Sequence, residues 1–496
     1  MARPRRPLSA ARSGRRSGRF IVVSNRLPFS FSRAGGGGWR AEPASGGLVT
    51  ALLPVLRNRG GTWVGWPGAP GPLGQFAGAL KSGGREAGYD LVGVPLSEDE
   101  VRDFYFGFSN EIVWPLFHDL LPFCRFEADY WRTYCAVNRR YARAVHARTE
   151  PGSFVWVHDY HLMNVAAELR LLGSRARVGF FLHIPFPSPD IFVKLPWRRP
   201  LLQALLRYDL IGFQTARDRR NFLACVQAVQ PQPVPAARTG DFPISIDFNA
   251  FMRRAAAADV AAKAQELHRL LPNRKLVLGI DRLDYTKGIP LRLAAFQHLL
   301  ARYPEMRGRV SLMQVVVPSR EGIAQYGRLK TQIEQLVGKI NGAYARPGGW
   351  VPVWYEYRNL SRMELLAYYR AADIALVTPL KDGMNLVAKE YCACSIEEDC
   401  VLILSEFAGA AAQLAPDALL VNPYDVEGVA EAIRTACAMP ADERFARMRR
   451  IRRAIRREDV FWWVDSYLRA AITKDLRAFP RAEVEVGELP ELQLPL

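Results

Sequence analysis

The sequence predicts an α/β protein made of two doubly wound domains that face one another across a cleft. Short runs of β-branched and apolar residues alternate with amphipathic helical stretches, a pattern typical of parallel sheets with crossover helices. The 496-residue chain is too long for one ordinary hydrophobic core and suits two domains of roughly 200 residues or more. Charged residues follow several predicted strands, at the edge where open α/β sheets bind ligands.

Two series of predicted strands justify this division. The first series comprises residues 20–24, 154–157, 178–183, 210–213 and 243–246. The second comprises residues 275–280, 310–317, 351–355, 374–377, 401–404 and 418–421. The charged, Ala-rich stretch 250–270 between them predicts a helix, which places the domain boundary near residues 246–273. We therefore expect a basic arm at 1–19, domains at 20–250 and 251–476 with the final helices crossing back, and a tail at 477–496.

Composition argues against several classes of protein. The uncharged stretch 60–80 has the length of a membrane span but contains several Gly and Pro and no sustained apolar run, so we expect no spanning helix. Residues 1–19 hold seven arginines and no acid, without the apolar core of a secretory signal, and favour a disordered basic arm. The seven cysteines form no Cys-x-x-Cys pair and favour reduced thiols in the cytoplasm.

The formal net charge of +18 leaves the kind of partner open. Residues 444–457 predict a helix with apolar residues on one face and arginines elsewhere, which is usually a solvated basic face. Nucleic-acid binding would require interleaved aromatic residues or a reader motif, and the sequence offers neither. An anionic substrate accounts equally well for part of the charge.

Basic residues and glycines follow the first predicted strand. Ser24-Asn25-Arg26 ends this strand with a guanidinium, the group best shaped for bidentate phosphate contact. Gly46 and Gly47 precede a helix-like run, where missing side chains let backbone N–H groups approach a phosphate or sugar. A plain loop is the alternative for these two glycines, and the four glycines 35–38 form either a mobile lid or a linker.

Two later strands of the first series end in histidines and a carboxylate. Asp159, just past strand 154–157, fits an acceptor for a sugar hydroxyl. His158 and His161 have the spacing of a zinc pair, but no third ligand lies nearby, and we expect no metal site. Three prolines stiffen the loop after His183 and hold this histidine in place, with a hydrogen-bonded core histidine as the alternative.

The second series of strands contributes cations. Arg282 and Lys287 follow strand 275–280 as a compact pair, and Arg320 follows strand 310–317. A sugar-diphosphate leaving group needs its negative charge neutralised while the glycosidic bond breaks. Two fixed cations can supply this charge, so the sequence predicts neither a metal nor a cofactor.

The segment 381–391 combines two carboxylates with a turn and a helix start. Asp382 and Gly383 follow strand 374–377, at the edge where open sheets bind ligands. A helix that starts near Asn385 would turn its free N–H groups and its positive dipole end toward a diphosphate. Glu390 would then accept from ribose hydroxyls. The segment predicts a nucleotide-sugar site, and the alternative is a surface turn that caps an ordinary helix.

In this order, the motifs resemble the trehalose-6-phosphate synthase family, glycosyltransferase family 20, from about residue 20 to residue 476. Each motif is weak alone, and their joint order carries the resemblance. The motifs are Ser24-Asn25-Arg26, Gly46-Gly47, Trp63-x-Gly-Trp66, Tyr105 through Trp114-Pro115, His158 to His161, His183 with its proline loop, Arg282 to Lys287, Ser319-Arg320, Asp382 to Glu390, and Ser405 to Gly409. The family consists of retaining nucleotide-sugar glucosyltransferases with two Rossmann-like domains around a central cleft, the GT-B fold.

The resemblance implies a division of the site between two substrates. Glucose 6-phosphate would be bound by Arg26, Tyr105, Asp159 and Arg320, with Trp114 and Trp66 lining the acceptor site. UDP-glucose would be held by Gly46, Gly47, Arg282, Lys287, the backbone of Leu360, and the turn of Leu386, Val387, Ala388, Lys389 and Glu390. Asp382 and His183 would read the donor glucose. Residues expected to act in catalysis are Asp159, His183, Arg282, Lys287 and Asp382.

The implied reaction transfers glucose from UDP-glucose to the anomeric hydroxyl of glucose 6-phosphate, with retention, and gives α,α-trehalose 6-phosphate. Because the family places Asp382 on a donor hydroxyl, we assign no carboxylate nucleophile and favour a front-face displacement. The rivals are a glucosylglycerol-phosphate synthase, which accepts glycerol 3-phosphate, and a catalytically silent regulatory subunit. UDP, GDP and ADP donors stay open. We expect a homo-oligomer, dimer or tetramer, and no nucleic-acid or membrane partner.

Overall fold

The structure is a computed structural model that describes residues 19–33, 39–43, 52, 56, 61–229, 238–320, 323–346 and 349–472. Several predicted features lie outside these residues: all of the basic arm except Arg19, the glycine tract 35–38, Gly46 and Gly47, and the tail 477–496. Two parallel sheets organise the described residues, as the alternating pattern predicts.

The first sheet is built from the first half of the chain. The strands of this half are β1 (Phe20–Arg26), β2 (Phe29–Arg33), β3 (Trp39–Pro43), β4 (Thr62–Trp66), β5 (Asp90–Gly93), β6 (Phe154–His158), β7 (Arg177–Phe181), β8 (Leu210–Phe213) and β9 (Arg238–Asp241). Seven of them pair in the order β5-β4-β1-β6-β7-β8-β9, and β2 and β3 form a separate antiparallel hairpin.

The second sheet is built from the second half. Its strands are β10 (Lys275–Arg282), β11 (Val310–Val317), β12 (Val353–Tyr357), β13 (Ile374–Val377), β14 (Val401–Ser405) and β15 (Leu419–Val421). They pair in parallel in the order β12-β11-β10-β13-β14-β15. The two doubly wound sheets confirm the predicted fold class.

Helices connect the strands of both sheets. In the first half they are Ala77–Ala87, Glu98–Glu100, Val101–Val113, Trp114–Phe117, Ala128–His146, Val165–Leu171, Pro189–Phe192, Arg198–Leu205 and Ala216–Val229. In the second half they are Phe248–Ala255, Ala258–Leu270, Ile289–Arg302, Ala324–Tyr344, Arg362–Ala371, Leu386–Cys394, Ala411–Leu414, Val426–Ala438, Ala441–Arg457 and Val460–Ile472. Among the described residues, no helix combines the length and the apolar character that crossing a membrane requires.

The strand orders fix where ligands bind. The order reverses between β1 and β6 in the first sheet and between β10 and β13 in the second. Open α/β sheets bind ligands at such switch points, outside the carboxyl ends of the strands. Arg26 and Asp159 stand at the first switch point, and Arg282 and Asp382 stand at the second.

The last helix, Val460–Ile472, ties the second half of the chain to the first sheet. Its Tyr467 hydroxyl donates to the carbonyl oxygens of Phe180 (3.1 Å) and Leu210 (3.3 Å). At its start, the Val460 N–H donates to the Ile246 carbonyl oxygen at 3.0 Å. This helix therefore packs against the first sheet.

The predicted strand 243–246 is wrong. The Ile244 N–H donates to the Gln214 side chain, the Ile244 carbonyl accepts from Lys389, and the Ile246 carbonyl accepts from Val460. Pro243 has no N–H to give to a ladder. The apolar run thus uses its backbone groups as a connection between domains, and the sheet edge is β9 instead. The helix predicted over 250–270 breaks into two, because Ala257 has an extended backbone with ψ 149°.

The arginine-rich segment forms the predicted helix, Ala441–Arg457, with Met448, Ile451 and Ile455 buried. Its arginines are not simply solvated. Six of the eight pair with carboxylates of this chain, and they are Arg444, Arg447, Arg449, Arg450, Arg452 and Arg457. This pairing leaves less positive charge for a nucleic acid than the sequence alone suggests.

Candidate active site

A cavity of about 600 Å³ opens between the two sheets, beside their switch points. From the first half of the chain its lining includes Arg26, Tyr105, Trp114, Asp159, His161 and His183. From the second half it includes Arg282 and Arg320. The structure thus brings residues from both halves of the predicted site to one cleft.

Arg26 ends β1 and is exposed to the cleft. Its guanidinium carbon lies 5.0 Å from the Trp66 ring centre and 5.5 Å from the Tyr105 ring centre. Trp66 is buried and is not among the lining residues, so it supports Arg26 from beneath. Within the described part of the chain, Arg26 makes no ion pair or hydrogen bond through its side chain. No described residue occupies its donors, which can therefore bind an anion.

Asp159 follows β6 with a left-handed backbone, φ 76°. Its N–H donates to the Phe181 carbonyl at 2.8 Å, and one carboxylate oxygen accepts the His183 N–H at 3.3 Å. Burial raises the pKa of Asp159 to about 6, although the backbone N–H groups of Tyr160 and His183 and the charges of Arg320 and Arg282 oppose the rise. The carboxylate is ionised at neutral pH and has acceptor capacity left for a ligand.

Three histidines surround Asp159. His158 Nδ1 lies 3.2 Å from His183 Nε2, and His183 is half-buried at the cavity wall. His161 stacks on Tyr105, with ring centres 5.8 Å apart, and burial lowers its pKa well below the usual range. In the part of the chain that the structure describes, no three His, Cys, Asp or Glu side chains are grouped to hold a metal ion. Metal independence stays a prediction.

Arg320 reaches the first half of the chain from the loop after β11. Its guanidinium lies 4.1 Å from the Trp114 ring centre, pairs with Asp284 at 3.2 Å, and donates to the Tyr326 hydroxyl at 2.6 Å. Asp284 is almost fully buried. Asp284 and Tyr326 were not among the predicted site residues. Asp284 stands two residues after Arg282, inside a predicted motif, whereas nothing local in the sequence marks Tyr326.

Lys287 and Asp382 form an ion pair across the second switch point, with Nζ 2.5 Å from a carboxylate oxygen. Burial by itself would raise the pKa of Asp382, but the Lys287 ammonium lowers it below the usual range. Asp382 also accepts from Asn385 Nδ2 at 3.2 Å. Arg282 is exposed to the cleft and has no partner among the described side chains. The two predicted donor-site cations therefore differ, since only Lys287 is already paired.

Gly383 lies against the backbone of the first half of the chain. A Cβ atom on Gly383 would lie 2.2 Å from the His183 carbonyl oxygen, so only glycine fits. The next turn starts the helix Leu386–Cys394, and its cap is Asn385, whose side chain accepts the Ala388 N–H at 3.2 Å. The helix start predicted near Asn385 is confirmed, on the segment that follows the carboxyl end of β13.

Two side chains of the Leu386–Glu390 turn, those of Glu390 and Lys389, contact different parts of the protein. Glu390 accepts from the Tyr369 hydroxyl at 2.9 Å, and burial raises the pKa of this carboxyl. Lys389 is fully buried and donates to the Ile244 carbonyl at 2.9 Å, away from the cleft, so only its backbone is available to a ligand. Leu360, after β12, packs half-buried against the core beside this helix.

The family model described as Glycosyltransferase family 20 matches residues 18–472. The chain belongs to glycosyltransferase family 20. Two relatives illustrate the range of this family. The trehalose-6-phosphate synthase of Mycobacterium avium is 43% identical over 472 residues, which cover 91% of this chain and 94% of that protein. The bifunctional trehalose-6-phosphate synthase/phosphatase of Thermoproteus tenax is also 43% identical, over 477 residues and 92% of this chain. The match spans only 64% of that longer relative.

Solved structures of family 20 members superpose on nearly the whole chain. An alpha,alpha-trehalose-phosphate synthase (UDP-forming) from Burkholderia xenovorans, in complex with glucose-6-phosphate, is 33% identical with a TM-score of 0.81. The match covers 92% of this chain and all of that one. An Escherichia coli structure bound with UDP-2-fluoro glucose is 36% identical with a TM-score of 0.83, covering 92% of this chain and 99% of that one. These matches confirm the predicted GT-B fold and family.

Proposed function

We propose that this protein transfers glucose from UDP-glucose to the anomeric hydroxyl of glucose 6-phosphate and forms α,α-trehalose 6-phosphate. The observation that carries the proposal is the placement of two sets of cations at the switch points of two facing sheets, in a family 20 chain. One set suits a hexose phosphate and the other a nucleotide diphosphate. Relatives named for this activity share about two fifths of their residues with the chain.

We assign the acceptor, glucose 6-phosphate, to the wall of the first sheet. Arg26 has free donors, and Arg320 brings a second guanidinium to the same cavity, so a phosphate dianion meets two fixed positive charges. Tyr105 and Trp114 enclose the sugar, and the Asp159 carboxylate accepts from a hydroxyl. The glucose-6-phosphate complex of the Burkholderia xenovorans relative supports an acceptor site in this fold.

We assign UDP-glucose to the wall of the second sheet. Arg282 and Lys287 hold the diphosphate with the N-terminal turn Leu386–Glu390, whose dipole favours an anion. Asp382 and His183 bind the donor glucose, and the Leu360 backbone lies by the base. Gly46 and Gly47, outside the described residues, are also assigned to the donor. The Escherichia coli structure with UDP-2-fluoro glucose supports a donor site of this kind.

The proposed mechanism is a front-face displacement. The bond from the donor C1 to the diphosphate oxygen breaks while the acceptor O1 forms its bond on the same face, and the O1 proton passes to the departing diphosphate oxygen. Arg282 and Lys287 stabilise the charge that develops there. Asp382 is held by Lys287 and Asn385, so it is committed to positioning and not free to attack C1. Closure of the cleft excludes water and suppresses hydrolysis.

Further predictions about this protein stay proposals. We propose a domain boundary at residues 250/251, consistent with the two sheets, and activity without a metal ion. The seven cysteines are free thiols, which supports a cytoplasmic setting. A dimer or tetramer is expected from light scattering of the purified protein.

A donor-by-acceptor activity matrix tests the proposed function. Purified protein is assayed with UDP-, GDP- and ADP-glucose against glucose 6-phosphate, glucose and glycerol 3-phosphate, with and without a chelator. We expect the highest turnover with UDP-glucose and glucose 6-phosphate, unchanged by chelation, and a product that NMR identifies as α,α-linked. Equal turnover with glycerol 3-phosphate would favour the glucosylglycerol-phosphate rival, and no turnover with any pair would favour the silent subunit.

A further inference from the structure

The imidazoles of His158 and His183 lie within hydrogen-bond distance of each other at the cavity wall. β6 and β7 are neighbours in register, and His158 ends β6 while His183 lies two residues past β7. His158 Nδ1 lies 3.2 Å from His183 Nε2, a hydrogen-bond distance. Both histidines line the cavity, and His158 is fully buried whereas His183 is half-buried. Burial lowers the pKa of His158 well below its usual range and that of His183 to about 3, so both rings are neutral.

Two neutral rings share this hydrogen bond in one of two ways. If His158 Nδ1 carries the proton, it donates to His183 Nε2, and His183 then carries its own proton on Nδ1. If His183 Nε2 carries the proton, His158 must carry its proton on Nε2, and His183 Nδ1 is bare. Because Nε2 of His183 is engaged with His158, Nδ1 is the ring nitrogen left for a ligand in the cavity. The two arrangements therefore present opposite hydrogen-bonding groups to that ligand.

The surroundings of His158 Nε2 distinguish the two arrangements. This atom is buried and has no hydrogen-bond partner among the described residues. The rings of Trp156 and Trp463 pack around it, with centres 4.6 and 6.4 Å from the imidazole centre. Trp463 Nε1 is also buried there without a described acceptor. A buried N–H without an acceptor is rarer and costlier than a bare acceptor nitrogen, and a second such N–H would add to the first. The bare His158 Nε2 is the favoured state.

We propose that His158 is a positioning residue that fixes His183 in the tautomer protonated on Nδ1. His183 thereby presents its Nδ1–H to the cavity, and this N–H donates a hydrogen bond to a sugar hydroxyl oxygen. The identity of this sugar as the donor glucose rests on the proposed function. The same arrangement leaves His183 without a basic nitrogen toward the cleft, so it orients the sugar and does not remove a proton from the acceptor.

Nitrogen NMR tests the tautomer directly on the unliganded full-length protein. The chain contains seven histidines, so long-range ¹H–¹⁵N spectra of ¹⁵N-histidine-labelled protein are tractable, and a His183→Gln variant identifies the His183 signals by their loss. We expect His183 to show a protonated Nδ1 and a bare Nε2. A His183 protonated on Nε2 would overturn the proposal. This measurement needs no substrate, so its failure is separate from failure of the proposed function.

A matched pair of variants tests the consequence for catalysis. Asn places an amide nitrogen near the position of His158 Nδ1, whereas Phe fills the same space without a donor. His158→Phe should lower kcat/KM for UDP-glucose by roughly tenfold with the KM for glucose 6-phosphate unchanged, and His158→Asn should stay within about threefold of the parent. Thermal unfolding shows whether each variant is folded. An equal loss in both folded variants, or no loss in either, would contradict a donor role for His158, and if His158→Phe does not fold, the wild-type NMR spectrum decides.

Discussion

At the scale of single residues, carboxylates of the protein already pair with two of the four cations that are assigned to the substrates. Arg320 pairs with Asp284 and Lys287 pairs with Asp382, whereas Arg26 and Arg282 contact no carboxylate within the described chain. A phosphate must compete with a carboxylate for Arg320 and for Lys287. It meets no such competition at Arg26 or Arg282 within the described chain. The paired cations are therefore held in place before the ligand arrives, which is the condition for electrostatic preorganisation.

The two paired cations should affect different kinetic parameters. Arg320→Gln is expected to raise the KM for glucose 6-phosphate with kcat little changed, because the acceptor phosphate keeps its charge throughout the reaction. Lys287→Met is expected to lower kcat by about 100-fold, or roughly 3 kcal/mol, because charge develops on the diphosphate only as the bond breaks. Each variant removes a cation from a buried carboxylate, so they are matched for lost stability. The opposite pattern in steady-state kinetics would exchange the donor and acceptor assignments.

Asp159 should make acceptor binding depend on pH. Its pKa of about 6, raised by burial, means that the carboxylate takes up a proton as the pH falls from 7 to 5 and loses the charge that strengthens its hydrogen bond from a hydroxyl. The affinity advantage of the parent over Asp159→Asn for glucose 6-phosphate should shrink by about tenfold over this range. The substrate phosphate titrates nearby, with a pKa near 6, but this effect is common to both proteins. A ratio of affinities that stays constant between pH 7 and 5 would exclude Asp159 as the ionised acceptor.

At the scale of elements, the sequence predicts those strands that are mostly apolar and lie outside Gly- and Pro-rich stretches. β8, β11 and β13 have the predicted bounds, and β13 with its following turn places Asp382 at the switch point. The missed strands lack such a run: β4 lies in the Gly- and Pro-rich stretch 60–80, β2 alternates Phe with Ser, and β3, β5 and β9 each contain charged residues. Residues 243–246 form tertiary hydrogen bonds instead of a strand ladder, and no local sequence pattern predicts those bonds. For the same reason the sequence indicates Arg320 but not its partner Tyr326.

The helix Leu386–Cys394 should make stability depend on pH through Lys389. This ammonium group is buried against the Ile244 and Gln413 carbonyl oxygens, and burial lowers its pKa to about 7, while Glu458 opposes the shift. The unfolded chain, with a lysine pKa near 10.4, binds a proton that the folded protein lacks between pH 7 and 10. Unfolding free energy therefore rises with pH in this window.

Urea denaturation of the parent and of Lys389→Met at pH 7, 8 and 9 measures this contribution. From pH 7 to pH 9 the parent should gain on the order of 2 kcal/mol relative to the variant, which has no group to titrate. Titration of other groups is common to both proteins and cancels in the difference. A difference that does not change with pH would show that Lys389 is charged in the folded state.

At the scale of the whole molecule, two of the contacts between the halves of the chain are made by partly exposed side chains. The Phe123 ring stacks on Tyr285 with centres 4.7 Å apart, and Lys381 pairs with Asp119 at 2.6 Å. Phe123 and Asp119 belong to the first half, and Tyr285 and Lys381 to the second. Both contacts are partly exposed, so each contributes little and the cleft can open.

Removing these contacts should shift the molecule toward an open cleft. The double variant Phe123→Ala and Asp119→Asn is expected to increase the radius of gyration in X-ray scattering and to raise the KM of both substrates by roughly three- to tenfold, since aromatic pairs contribute about 1 kcal/mol. Saturating UDP together with glucose 6-phosphate should restore the parent value. Asp129→Asn, at an exposed ion pair within the helix Ala128–His146, is the control that should change neither quantity. An unchanged radius with raised KM values would place these contacts in local substrate binding and not in closure.

The central claim is that one wall of the cleft binds glucose 6-phosphate and the other binds the nucleotide. Arg26 and Arg282 test it most directly, because neither has a described carboxylate partner that its removal would strand. Calorimetry measures the affinity for glucose 6-phosphate and for UDP, each alone. The proteins are the parent, Arg26→Ala and Arg282→Ala. Arg33→Ala is the control, because Arg33 is an exposed arginine that stacks on a tryptophan. Arg26→Ala should weaken the binding of glucose 6-phosphate by roughly 10- to 100-fold and leave the binding of UDP unchanged, since a charge-assisted hydrogen bond is worth about 1.5–3 kcal/mol. Arg282→Ala should weaken the binding of UDP by the same factor and leave that of glucose 6-phosphate unchanged. Weakening of both ligands by both variants, or an exchange of the two effects, would contradict the account.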